Sequence, residues 1–112
     1  MRLEKANNDW SKALYYVILD YTAGTNMKKV LERSPLFWKF QTRISDLCKY
    51  HHTFRTKLNK VPIPFHDPAT GKTGYYTHYT FIGPVKYLHN LYAAINKKGL
   101  YKAHKNNQPV KQ

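Results

Sequence analysis

Apolar positions recur at helical spacing from the first residues onward. Trp10, Leu14, Val17, Ile18 and Tyr21 fall on one side of a helix predicted over roughly residues 9–21. Asn7 or Asn8 precedes it with a side-chain oxygen suited to its free N–H groups. The stretch Thr22-Ala23-Gly24-Thr25-Asn26 breaks the pattern; Gly24 can take a positive φ and Asn26 can cap the next helix. That short helix, over 27–33, turns Val30 and Leu31 inward and Lys28 and Lys29 outward. Ser34 and Pro35 predict the opening of a third helix over 36–50, with Phe37, Phe40, Ile44 and Leu47 as its apolar seam. Lys39, Thr42, Arg43, Asp46 and Lys49 fall on or near its other side. Arg43 and Asp46 are three apart and can pair, which would make Arg43 partly structural.

The period changes to two after residue 53. Phe54, Thr56 and Leu58 alternate with Arg55, Lys57 and Asn59, which predicts a half-solvated strand running from 54 to about 65. Pro62 and Pro64 put its second half at a sheet edge or make it irregular. The turn residues 67–74, DPATGKTG, lead into a return strand over 75–82 with Tyr75, Thr77, Tyr79 and Phe81 on one face. Two strands bury too little to stand alone, so the hairpin must lean on the helices with Lys72 at its tip. A last helix over 84–97, ended by Gly99, carries the stripe Val85, Leu88, Leu91, Tyr92 and Ile95. That stripe either packs on the core or forms the seam of a homodimer. The predicted architecture is mainly α with a β-hairpin wing, one domain over 1–98 and a basic, disordered tail over 99–112.

Composition adds a direction. The chain has 112 residues and room for one small core, which 10 tyrosines and 5 phenylalanines should make aromatic. Lys and Arg number 19 against 6 for Asp and Glu, a formal net charge of +13, and no acid comes after Asp67. Such a field draws a polyanion and is sensitive to salt; the plain alternative is a solubilising surface. Cys48 is the single cysteine, so no intrachain disulfide forms. No stretch approaches the roughly 20 apolar residues of a membrane span, and the N-terminus has no apolar signal core, so no membrane partner is expected and cytoplasmic location is the default. Cys48, His51, His52 and His66 suggest a zinc site only weakly, since no second ligand pair has the right spacing. The acids at 4, 9, 20, 32, 46 and 67 form no paired-carboxylate group. The GKTG of the turn lacks the rest of a phosphate-binding loop. The expectation is a protein that is not an enzyme and holds no metal or cofactor.

The helices at 27–33 and 36–50 read as a helix-turn-helix pair. The run Arg43-Ile44-Ser45-Asp46-Leu47, a hairpin after it with glycine in its turn, and His78-Tyr79-Thr80-Phe81 together resemble the small phage and prophage winged helix-turn-helix domains. In those domains the five-residue motif closes the recognition helix. The resemblance spans about residues 10–82. This chain has Tyr50-His51-His52 where the family carries a glycine, and Phe81 where it carries an aliphatic residue. The resemblance implies binding to double-stranded DNA, with transcription-regulating or phage-replication roles.

On that reading Gln41, Thr42 and Arg43 face base edges in the major groove while Lys39 and Lys49 meet phosphates. Lys12, Lys28 and Lys29 anchor the domain on the backbone, and Lys72 and Thr73 reach the flanking backbone or minor groove. Arg55 and Lys57, on the solvated side of the first strand, complete the DNA-binding set. Trp38 either packs or, if exposed beside the lysines, sits against a sugar or a base. Two other classes stay open: a structural or protein-interaction module for an acidic partner, and an RNA-binding protein that stacks bases on its aromatics.

Overall fold

The computed structural model describes residues 3–107, with side chains through residue 100. Among these residues it has five helices and a three-stranded antiparallel sheet. The order is α1 (Asp9–Leu19), β1 (Thr25–Asn26), α2 (Met27–Arg33), α3 (Phe40–Tyr50), α4 (His52–Lys57), β2 (Leu58–His66), β3 (Thr73–Phe81) and α5 (Val85–Asn107).

Local chemistry sets the first two helices. Asn8 caps α1: the Ser11 N–H donates to Asn8 Oδ1 at 2.8 Å, and the Asn8 N–H donates back to Ser11 Oγ at 3.3 Å. Asn26 caps α2 by accepting the Lys29 N–H at 3.0 Å. Between them Gly24 takes φ 85°. Thr25 and Asn26 then pair with Tyr79 and His78, a third strand that the sequence pattern did not predict. The strand order is β1-β3-β2.

Two expected boundaries move. The third helix starts at Phe40, not at 36. Ser34 instead ends α2, its hydroxyl is hydrogen-bonded to that of Tyr16, and Phe37 is drawn into the core before the helix begins. Residues 54–57, expected as strand, belong to the helix α4. Phe54 and Leu58 are both buried and lie four apart, so one helical turn delivers them to the core as well as alternation would. The tie-breaker is tertiary: Phe54 stacks on Phe81 at 5.8 Å, and Phe81 stacks on Tyr87 at 5.8 Å. This ladder of three rings joins α4, β3 and α5.

The hairpin runs through nine pairs, from Leu58↔Phe81 to His66↔Thr73. Tyr79 and Phe81 are buried at its base, as the alternation predicts. Pro62 and Pro64 lie in β2, the edge strand, where a missing N–H is tolerated and discourages edge-to-edge pairing. Farther out, Phe65 lies opposite Gly74 and its ring covers the space where a side chain would project.

The core is aromatic and aliphatic together: Phe40, Phe54, Leu14, Ile44, Leu47, Leu88 and Ile95 are fully enclosed. Phe40 meets Tyr79 edge-on at 5.8 Å, fastening α3 to β3. The α5 stripe is used here. Leu88, Leu91, Tyr92 and Ile95 are buried in the domain's own core, and of that stripe only Val85 is exposed, at 37%. Of the two uses left open for the stripe, packing on the core is the one seen. Gly99 breaks the helix at φ 80° and ψ 170°, as expected, but the backbone re-enters helix as far as Asn107 where a disordered tail was expected. The rest of that tail, 108–112, lies outside the described residues.

A polar knot holds the start of the chain to α5. Asn96, 7% exposed, accepts the Asn7 N–H and the Ser11 hydroxyl (2.9 Å) on Oδ1 and donates to the Lys5 carbonyl at 2.9 Å. The Asn8 amide donates to the Ile95 carbonyl at 3.1 Å, and the Tyr92 hydroxyl to that of Glu4.

Candidate nucleic-acid interface

α3 buries Phe40, Ile44, Leu47 and Cys48. The helix repeat then sends Thr42, Ser45 and Lys49 to the opposite side, where all three are exposed. Lys39, also exposed, is the residue before the first turn, and no side chain caps that end. Ser45 was absent from the expected set, although the step from Thr42 to Ser45 to Lys49 keeps the helical period.

The two flanks of this stripe belong to the protein's own seams. On one side, the Thr77 N–H donates to Gln41 Oε1 at 3.3 Å, so the acceptor of Gln41 ties α3 to β3 and is not free for a base edge. On the other, Arg43 donates through Nη1 to Asp46 Oδ2 at 2.9 Å, its Nε lies 3.9 Å from Asp9 Oδ2, and its guanidinium covers the Trp10 ring at 5.2 Å. The Trp10 indole donates to the same Asp46 oxygen at 2.9 Å. With its side chain 19% exposed, Arg43 closes the α1–α3 seam, the partly structural use that its spacing from Asp46 allows.

The remaining cations divide in the same way. Lys28 is exposed on α2. Lys29 is engaged, since Nζ donates to the Gly24 carbonyl at 2.9 Å and lies 3.7 Å from Asp20. Lys12 sits half-buried with Nζ 4.7 Å above the Phe37 ring. Arg55 and Lys57 are exposed, but on α4 and not on a strand. Arg55 Nη2 lies 3.0 Å from His52 Nδ1. Lys72 and Thr73 are exposed where the hairpin turns, and Asp67 organises that turn by accepting the Ala69 N–H at 2.9 Å and the Thr70 hydroxyl at 3.1 Å.

Lys60, also missed, is exposed on β2 beside Cys48. Burial raises the Cys48 thiol above its ordinary value, and the nearby Lys60 and Arg55 charges only partly oppose that shift. Cys48 is thus a core side chain at the back of α3 and not an activated thiolate. Asp20 behaves oppositely. Burial pushes its carboxyl up, but the two hydrogen bonds from Arg33 at 2.9 and 3.0 Å, with Thr25 and Lys29, hold it below the ordinary aspartate value. Among the described residues no group of three His, Cys, Asp or Glu side chains converges to hold a metal ion, and no helix is long and apolar enough to cross a membrane.

Comparison with protein-family models, with curated proteins and with solved structures gives no match.

Proposed function

We propose that this chain is a double-stranded DNA-binding protein of the winged helix-turn-helix type, with α3 as the helix that enters the major groove and the β2–β3 hairpin as its wing. The observation that carries the reading is the state of the outward face of α3. Thr42, Ser45 and Lys49 stand in solvent, with Lys39 ahead of them, while the nearby acid, Asp46, is held by Arg43 and Trp10. A helix with its side chains is about 10–12 Å across and the B-form major groove about 12 Å wide. The order α1-β1-α2-α3-α4-β2-β3, with β1 pairing across to β3 and the one short helix α4 between α3 and the hairpin, supports the same reading. Lys39 and Lys49 meet phosphates, Thr42 and Ser45 read base edges, and Lys72 tracks the backbone beyond the groove. A transcriptional or phage-type regulator in the cytoplasm is the use such a domain would serve, and it needs no dimer along α5.

A second reading has its own support. Val61, Phe65 and Tyr75 leave apolar surface exposed along the hairpin, which suits a structural or interaction module with an acidic partner.

Titration of duplex DNA, single strand and structured RNA at two salt concentrations separates these readings. The duplex should bind best, its affinity falling with salt by a log–log slope of about 0.9 per neutralised phosphate. Equal, weak binding to all three would reduce the protein to a polycation and end the DNA reading. A preference for RNA would replace it.

A further inference from the structure

We infer that the corner at residues 36–38 is a base-stacking wedge, with Trp38 set against the face of a base at an unstacked step of duplex DNA and Leu36 supporting it. The inference rests on the DNA-binding reading above. Leu36 is 85% exposed and Trp38 67%, while Phe37 between them is only 5% exposed. Phe37 is held firmly: Phe40 meets it edge-on at 6.1 Å, Lys12 Nζ lies 4.7 Å above its ring, and its N–H donates to the Ser34 carbonyl at 3.0 Å. The Trp38 N–H donates to the Leu36 carbonyl at 3.0 Å. Two large apolar side chains thus project from an anchored turn, and the fold recovers little of the burial they offer.

Charge selects the occupant. Residues 34–45 include Lys39 and Arg43 and no acid, and Asp46 beyond them is already paired. In a chain of net charge +13, a partner that is both anionic and rich in flat apolar faces satisfies the lysines and the indole together. Stacked bases meet that description. The corner also leads directly into the first turn of α3, the end from which a recognition helix reaches base edges. The other tryptophan, Trp10, is used internally against Arg43 and Asp46.

The test uses the full chain and a labelled duplex, reading affinity by anisotropy and the tryptophans by emission. Saturating duplex should quench emission of the unaltered chain and leave that of Trp38→Phe, which keeps only Trp10, unchanged. Trp38→Ala should weaken duplex binding roughly 5- to 150-fold with the salt slope preserved, because no phosphate contact is lost. Trp38→Phe should stay within a few-fold of the unaltered chain. Unaltered duplex affinity in Trp38→Ala with unresponsive emission would overturn the wedge and leave DNA binding standing. Absence of salt-dependent duplex binding by the unaltered chain would overturn both. Emission that responds to anionic phospholipid vesicles or polyglutamate but not to duplex would assign the corner to another partner and overturn the wedge.

Discussion

The Arg43 guanidinium donates to Asp46 Oδ2 at 2.9 Å, three residues further along α3. That pair engages both the guanidinium and the acid on one flank of the helix. What remains facing outward is short hydroxyls and lysines. The energetic role of each cation therefore differs with its place around the helix.

Arg43→Ala and Lys49→Ala should separate those roles. Loss of Arg43 takes the cation from Asp46 and Trp10 in a half-buried seam and should cost about 1–2 kcal/mol of stability. Lys49→Ala should leave the melting temperature nearly unchanged and lower the log–log salt slope for duplex by about 0.9. Thermal melts and salt titrations of the two variants decide it; the reverse assignment would mean Arg43 leaves its seam on binding.

Thr42→Ala and Ser45→Ala should alter which duplex sequences are preferred, leaving the salt slope intact, since neither hydroxyl carries charge. Competition against a randomised duplex pool measures this. Equal losses on every sequence would reject the base-reading role.

Asn96→Ala should destabilise the domain by about 1–3 kcal/mol, because the Ser11 hydroxyl, the Asn7 N–H and the Lys5 carbonyl lose this partner together. Urea unfolding measures the loss. A shift of only a few tenths would mean that water replaces the side chain.

Gly24→Ala should be more damaging. Gly24 has φ 85°, and a Cβ there would lie 2.4 Å from His78 Nε2 and 2.5 Å from Thr80 Oγ1. Left-handed strain and the forced shift together cost about 2–4 kcal/mol, seen as a lowered urea midpoint. His78 cannot easily yield, since Nε2 lies 3.0 Å from the Ala23 carbonyl and Nδ1 3.0 Å from the Asn26 amide.

Asp20 sets a mild acid limit. Its carboxyl is held below the ordinary value in the folded chain, so its contribution is present above the unfolded pKa and is lost as pH falls through the folded one. Asp20→Asn should flatten that acid limb and lower stability near neutral pH by under about 1 kcal/mol, because the Arg33 side chain is 37% exposed. Urea melts from acid to neutral pH test the sign; greater stability of the variant at neutral pH would refute it.

Much of this fold was legible where a signal and its consequence lie within a few residues. Asn8 and Asn26 cap helices whose free N–H groups are three positions away, Gly24 turns in place, and the period of three and four marks the buried side of α1, α3 and α5. The outward placement of Thr42 and Lys49 comes from that same period, and Ser45 was available to it as well.

Where the chain by itself was silent, the outcome depended on partners far along it. The alternation from Phe54 to Leu58 reads as strand, and it is Phe81, far along the chain, that settles Phe54 on a helical turn by supplying the ring that stacks on it. Thr25 and Asn26 become a strand only because β3 arrives beside them, and Phe37 delays the start of α3 because the core has room for it. The sequence determined which residues carry charge and which helix faces are greasy. Only the tertiary structure decided which polar side chains stay available, because availability depends on what packs against each one: Trp10 and Asp46 claim Arg43, Gly24 and Asp20 engage Lys29, and Ser45 and Lys49 are left in solvent.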